Sequence, residues 1–138
     1  MSQPPIRIIL VDDHQLVRES WSLLFKQDER FVIIGECANG AQAIDSALDL
    51  IPDVMLIDVN MSPMNGFETT QRITAANQGI RVIGVSMNNQ PTYARKMLES
   101  GARGYVTKNS SFQEMTRAIL EVHGGGQYIC EEVKNKMS

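Results

Sequence analysis

At 138 residues, with 43% apolar and 21% charged side chains, the sequence has the composition of one ordinary globular domain, and such a domain can bury roughly two thirds of the surface its unfolded chain exposes. Thirteen Lys and Arg against sixteen Asp and Glu, a formal net charge of −3, are scattered without a basic stripe, which argues against direct contact with nucleic acid. Cys37 and Cys130 lack metal-ligand spacing, the start MSQPPIR lacks a secretory pattern, and no apolar run approaches the ~20 residues of a membrane span, so a cytoplasmic, reducing setting without membrane contact is expected.

The first strand is read in IRIILV (6–11), and it ends on Asp12-Asp13. Val17, Trp21, Leu24 and Phe25 then recur at helical spacing, before a second strand in FVIIGEC (31–37). After Asn39-Gly40, the residues Ile44, Ala47, Leu48 and Ile51 form a helical stripe that Pro52 stops. The third strand, DVMLID (53–58), closes on Asp58 and runs into a Met-, Ser-, Pro-, Asn- and Gly-rich loop. A third helix is expected over roughly 66–77, although Thr69, Thr70 and Thr74 favour it only weakly. The fourth strand is IRVIGVS (80–86); Pro91 then suits the first turn of a helix carrying Tyr93 and Met97, with Gly101 as its stop. GYVTK (104–108) is the fifth strand, and Ser111 with Glu114 reads as a capping box opening a helix with Phe112, Met115 and Ile119 inward. Gly124 to Gly126 break that helix, and residues 127–138 read as a tail, a short extra helix or the start of a linker.

Five continuous apolar runs alternating with amphipathic stretches describe an α/β fold: a doubly wound, five-stranded parallel sheet buried on both faces, with five helices. If the strand order is 2-1-3-4-5, the ligand site lies where the order reverses, between the first and third strands. Asp12, Asp13 and Asp58 then converge on one pocket, with Ser86 and Lys108 arriving from the fourth and fifth strands. Two carboxylates ~4 Å apart repel by about 4 kcal/mol at an effective dielectric of 20, so the cluster must shift its pKa values, neutralise itself or bind a cation. Hard oxygen donors facing open water favour Mg²⁺. With its charge offset, Asp58 can act as a nucleophile toward phosphorus. Taken singly, Asp12 or Asp13 reads equally as a helix cap, Asp58 as a turn residue, and Ser86 and Lys108 as solvated loop groups.

The motifs VDDH (11–14), LIDVNM…NG (56–66), GVSM (84–87) and GARGYVTK (101–108) together resemble those of two-component response regulator receiver domains, over about residues 6–123, with phrasing most similar to the NarL/FixJ subfamily. The resemblance implies a flavodoxin-like receiver domain over 1–126, with 127–138 leading toward an absent LuxR-type helix-turn-helix domain. It also implies that Asp58 accepts a phosphoryl group from the phosphohistidine of a sensor histidine kinase. Asp13, Asp58, the backbone carbonyl of Asn60 and, through water, Asp12 would hold Mg²⁺. Lys108 and Ser86 would bind the phosphoryl oxygens, and Ser86 with Tyr105 would form the switch. The implied output is a phosphorylation-dependent homodimer, through the first and fifth helices or the face of the fourth and fifth, that controls transcription.

Three departures stand out. Met61 is followed by Ser62 and Pro63 where the family has Pro at once, Asn65 replaces the usual Asp, and Asn109 replaces a Pro after Lys108. A trans Lys108–Asn109 bond is therefore expected, since a cis bond to a non-proline residue costs about 3–4 kcal/mol. The competing readings are a small-substrate phosphatase or phosphotransferase using Asp58 as nucleophile, and a structural pseudo-receiver. The former would want an acid or base two residues beyond Asp58, a role Asn60 cannot fill.

Overall fold

The computed structural model describes residues 3–137; Met1, Ser2 and Ser138, the extreme ends of the segments read above as the start and the tail, lie outside the described residues. The strands β1 (Ile6–Val11), β2 (Phe31–Cys37), β3 (Val54–Asp58), β4 (Arg81–Ser86), β5 (Gly104–Thr107) and β6 (Tyr128–Ile129) form one parallel sheet in the order β2-β1-β3-β4-β5-β6. The helices are α1 (Gln15–Lys26), α2 (Gly40–Leu50), α3 (Gly66–Ala76), α4 (Pro91–Glu99), α5 (Phe112–His123) and α6 (Glu131–Lys134). The expected order 2-1-3-4-5 is present, but the described residues hold six strands and six helices rather than five of each. The additions arise because Gly125, at φ +97°, lets the chain turn back after α5. Tyr128 then donates its N–H to the Arg103 carbonyl and Cys130 donates to that of Tyr105, both at 3.0 Å.

Buried Val and Ile fill β1, β3 and β4 because those strands are covered on both faces. β2 is different. As the edge strand it buries Phe31 and Cys37 but exposes Val32 and Glu36, against the expectation of burial on both faces. The helices beside it are correspondingly less covered: Phe25 and Ala47 are buried, whereas Leu24, Leu48 and Ile51, read as core, lie on the surface. On one face Phe25 gathers α1, β2 and α5, with ring centroids 5.5 Å from Phe31 and 5.1 Å from Phe112. On the other, α2, α3 and α4 pack in succession, and Met97 is fully buried.

The caps follow local chemistry. Asn39 Oδ1 accepts the Gln42 N–H at 2.9 Å, Asn65 Oδ1 that of Glu68 at 2.9 Å, and Ser111 Oγ that of Glu114 at 3.0 Å. Thus Asn65, which departs from the family pattern, does the work of an N-cap. Thr69 and Thr74, weak helix formers in α3, satisfy their hydroxyls on the carbonyls four residues earlier, at 2.9 and 2.8 Å. The Ser62–Pro63 bond is cis; Lys108–Asn109 is trans, as expected.

Gly66 sets the distance between α3 and the end of β3. A Cβ there would lie 2.5 Å from the Asp58 carbonyl oxygen and 2.6 Å from Val59 Cα, both backbone atoms that cannot yield. Gly66→Ala is therefore expected to lower the urea unfolding free energy by about 1–3 kcal/mol. Gly79→Ala, whose nearest neighbour is the flexible Asn77 side chain at 3.1 Å, should cost much less.

Candidate functional site

Parallel pairing brings the site together. Val11 is in register with Ile57, so Asp12 and Asp13 leave β1 beside Asp58 at the end of β3. Asp58 is in turn in register with Val85, and Ser86 with Thr107, which carries Ser86 and Lys108 to the same edge. The Lys108 N–H donates to the Ser86 carbonyl at 2.8 Å, tying the last two strand ends to each other.

Asp12 is 6% exposed and Asp58 only 2%. Lys108 Nζ lies 2.9 Å from Asp12 Oδ2 and 3.4 Å from Asp58 Oδ2, so one ammonium serves two carboxylates. Asp58 Oδ1 accepts the Asn60 N–H at 3.1 Å. Its other oxygen, Oδ2, is buried and faces the Lys108 ammonium at 3.4 Å, an ion pair longer than a well-formed hydrogen bond. Burial, followed by the charge of Asp12, pushes the Asp58 carboxyl above its ordinary pKa; the Asn60 amide and Lys108 oppose this without prevailing. For Lys108 burial works against the charge, but the two carboxylates outweigh it and hold the ammonium above its ordinary value.

One contributor escaped the sequence reading. His14 Nδ1 lies 3.1 Å from Asp12 Oδ1 and 3.0 Å from Asp13 Oδ1, and one ligand atom from each of Asp12, Asp13, His14 and Asp58 falls within 4.8 Å of the others. The signal available was its place directly after the acid pair. Asp12 Oδ1 also accepts the His14 N–H at 2.8 Å; the helix-cap role open to Asp12 or Asp13 is not taken, because His14 occupies the N-cap of α1 and no side chain caps it. Arg18, likewise unread, donates to the Asp12 carbonyl and fixes the end of β1.

Ser86 is fully buried; its Oγ accepts the Asn88 N–H at 3.0 Å and the Asn60 side-chain amide at 3.3 Å. Tyr105 is also fully buried, and its hydroxyl donates to the Asn88 carbonyl at 2.6 Å. The predicted residues Asp12, Asp13 and Asp58 are thus brought together with Lys108, while Asn60 and Ser86 touch each other and Tyr105 reaches them through Asn88.

This acid pocket sits at the strand ends of a domain whose residues 8–120 match the family model described as the response regulator receiver domain. The chain belongs to that family. This receiver domain is of the NarL/FixJ type. It is 31% identical over 133 residues to the response regulator GacA of Pseudomonas viridiflava, and 33% identical over 132 residues to the transcriptional regulatory protein LnrK of Bacillus subtilis. Those matches cover 96% of this chain but 62% and 60% of the relatives, so the receiver domain spans about three fifths of their length. Among solved structures, a LuxR-family response regulator from Aurantimonas sp. SI85-9A1 superposes with a TM-score of 0.92 at 28% identity, covering 96% of this chain and 95% of that one. The signal receiver domain of NarL from Mycobacterium tuberculosis gives 0.84 at 28% identity, over 89% of this chain and 99% of that one.

Because Asp58 binds its proton more tightly in the folded than in the unfolded chain, the native state holds an extra proton between the ordinary carboxylate pKa and the raised one. Through that window its contribution to stability falls as pH rises. Asp58→Asn should accordingly stabilise the metal-free protein at neutral pH, on the order of 1 kcal/mol for one poorly satisfied buried charge. The gain should vanish as pH is lowered through the raised pKa in a series of urea melts.

Proposed function

We propose that this domain accepts a phosphoryl group on Asp58 from the phosphohistidine of a sensor histidine kinase. The observation that carries the proposal is the buried Asp58 Oδ2, met only by the Lys108 ammonium at 3.4 Å, in a pocket of three carboxylates and one ammonium. Held by one long ion pair rather than by a short hydrogen bond, that oxygen keeps lone pairs with which to attack phosphorus. In the transfer an O–P bond forms at Asp58 as the P–N bond of the donor breaks; the departing imidazole keeps the electron pair and is protonated.

The donor set is hard oxygen with an orphaned oxygen at its centre, which fits Mg²⁺ better than a softer ion. Asp13, Asp58 and the Asn60 carbonyl would hold it, with Asp12 acting through water; when bound, the ion offsets charge on the carboxylates and on the phosphoryl oxygens. Lys108, now shared between Asp12 and Asp58, would pair with a phosphoryl oxygen, and the Ser86 hydroxyl would donate to another. A phosphoryl group adds roughly −1.5 to −2 charge and three acceptor oxygens, which are enough to redirect both.

If Ser86 rotates about Cα–Cβ so that Oγ itself swings toward the phosphoryl group, Asn88, whose carbonyl holds Tyr105, loses the acceptor of its N–H. Tyr105 thus acts as the switch residue from its interior position, and the face of α4, β5 and α5 changes. Couplings of this kind are typically ~1–3 kcal/mol, sufficient to shift a monomer–dimer balance. In this reading the active form is a homodimer in the cytoplasm, the receiver is residues 1–126, and residues 127–138 lead from it. Transcriptional control and DNA contact belong to a separate helix-turn-helix domain. The net charge of −3 and the lack of a basic stripe support assigning DNA contact elsewhere. Among the described residues no helix is long and apolar enough to cross a membrane.

Intact mass after incubation with acetyl phosphate and Mg²⁺ tests the proposal. One labile phosphoryl adduct is expected, absent in Asp58→Asn and reduced about tenfold or more in Asp13→Asn. Rapid release of phosphate from many small esters would favour a phosphatase instead.

A further inference from the structure

The segment after α5 is joined to the site by side chains as well as by the sheet. Both oxygens of the Glu132 carboxylate are used, and on two different elements. Asn89, in the loop between β4 and α4, donates to one at 2.6 Å; Thr107, the last residue of β5, donates to the other at 2.9 Å. These donors hold the Glu132 carboxyl below its ordinary pKa. Lys136 Nζ closes the arrangement by donating to Asn89 Oδ1 at 3.0 Å. Beneath it, Cys130 and Val133 are fully buried, and Glu114 Oε2 accepts the Tyr128 hydroxyl at 3.0 Å and the Glu131 N–H at 2.8 Å.

The loop that Glu132 grips is the one that Ser86 holds. Asn88 donates its N–H to Ser86 Oγ and accepts the Tyr105 hydroxyl, and Asn89 is the next residue. Thr107, the other end of the grip, immediately precedes Lys108. Glu132 therefore spans the gap between two groups that are each next in the chain to a residue tied to the site: Asn89 follows Asn88, which is bonded to Ser86, and Thr107 precedes Lys108. If the Ser86 hydroxyl turns away, the Asn88 N–H loses its acceptor and the 87–90 loop shifts relative to β5. One rigid carboxylate cannot then keep both donors.

We propose that residues 128–137 form a clasp that is released from the 87–90 loop when Asp58 is phosphorylated, with Glu132 as the group that senses the loop. The inference rests on the phosphoacceptor reading of Asp58. It adds a direct route from the site to the chain's C-terminal segment, separate from any change on the outer face of α4 and α5. Cys130 and Val133 stay available as an apolar anchor, so release is local and reversible. Coupling is reciprocal: whatever factor the phosphoryl group contributes to opening the clasp, opening the clasp contributes to binding the phosphoryl group.

Hydrogen exchange read by mass spectrometry on the full chain, with and without beryllofluoride and Mg²⁺, tests the clasp. The amides of residues 131–137 should exchange about fivefold or more faster with beryllofluoride, the lower end of typical allosteric coupling. Glu132→Ala, and independently Asn89→Ala, should exchange fast in both states, and Asp58→Asn should not respond. By reciprocity, Glu132→Ala should bind beryllofluoride tighter by the same factor, followed by fluorescence of Trp21, which lines a small cavity with Asp12. An acetyl phosphate adduct on Asp58 together with unchanged or slower exchange in 131–137 overturns the clasp and leaves the receiver reading intact. Absence of any adduct overturns both.

Discussion

The structure depends on a charge imbalance at the carboxyl edge of the sheet. Asp12, Asp13 and Asp58 are gathered there against one ammonium, Lys108, and the most buried of the three carboxylates keeps an oxygen without a hydrogen bond. A pocket selected for stability would not be built this way, because removing charges from water costs several kcal/mol each unless they are fully paired. The raised pKa of Asp58 is the direct signature of that cost. What compensates it is the rest of the domain: β1, β3 and β4, packed with Val and Ile on both faces, fix the strand ends so that the acids cannot move apart.

The same constraint organises the neighbours. Gly66 lets α3 approach the Asp58 backbone more closely than any side chain would permit, and Asn60 places its N–H on Asp58 and its side chain on Ser86. From Ser86 the hydrogen bonds continue through Asn88 to Tyr105, and from the adjoining Asn89 to Glu132. Asp58 therefore has short, polar connections to the buried aromatic on β5 and to the C-terminal segment. Networks of this sort transmit a change because each donor has few alternatives in a low-dielectric interior.

Much of this was legible in the sequence. Unbroken apolar runs that end on Asp, Ser or Lys state both the strand and its terminal chemistry, and parallel winding puts those termini on one edge. The pairing of Ser111 with Glu114 and the placement of Pro91 likewise located two helix starts. Other features left no local trace. A two-residue strand such as Tyr128–Ile129 has no period to detect, and the Glu132 contacts with Asn89 and Thr107 join positions 43 and 25 residues apart. The exposed Leu24, Leu48 and Ile51 mislead for a different reason: apolar spacing shows which way a helix leans, whereas coverage depends on whether it lies over the sheet's centre or its edge.

We propose that the excess negative charge of the acid cluster is met by a divalent cation. Equilibrium unfolding as a function of Mg²⁺ concentration measures this most directly. A ligand bound only by the native state stabilises it by about 2.7 kcal/mol at one hundred times its Kd. The account predicts a progressive rise in unfolding free energy with Mg²⁺ that is lost in Asp58→Asn and in Asp13→Asn. A wild-type stability that does not change with Mg²⁺, or a rise that persists in both variants, would contradict it.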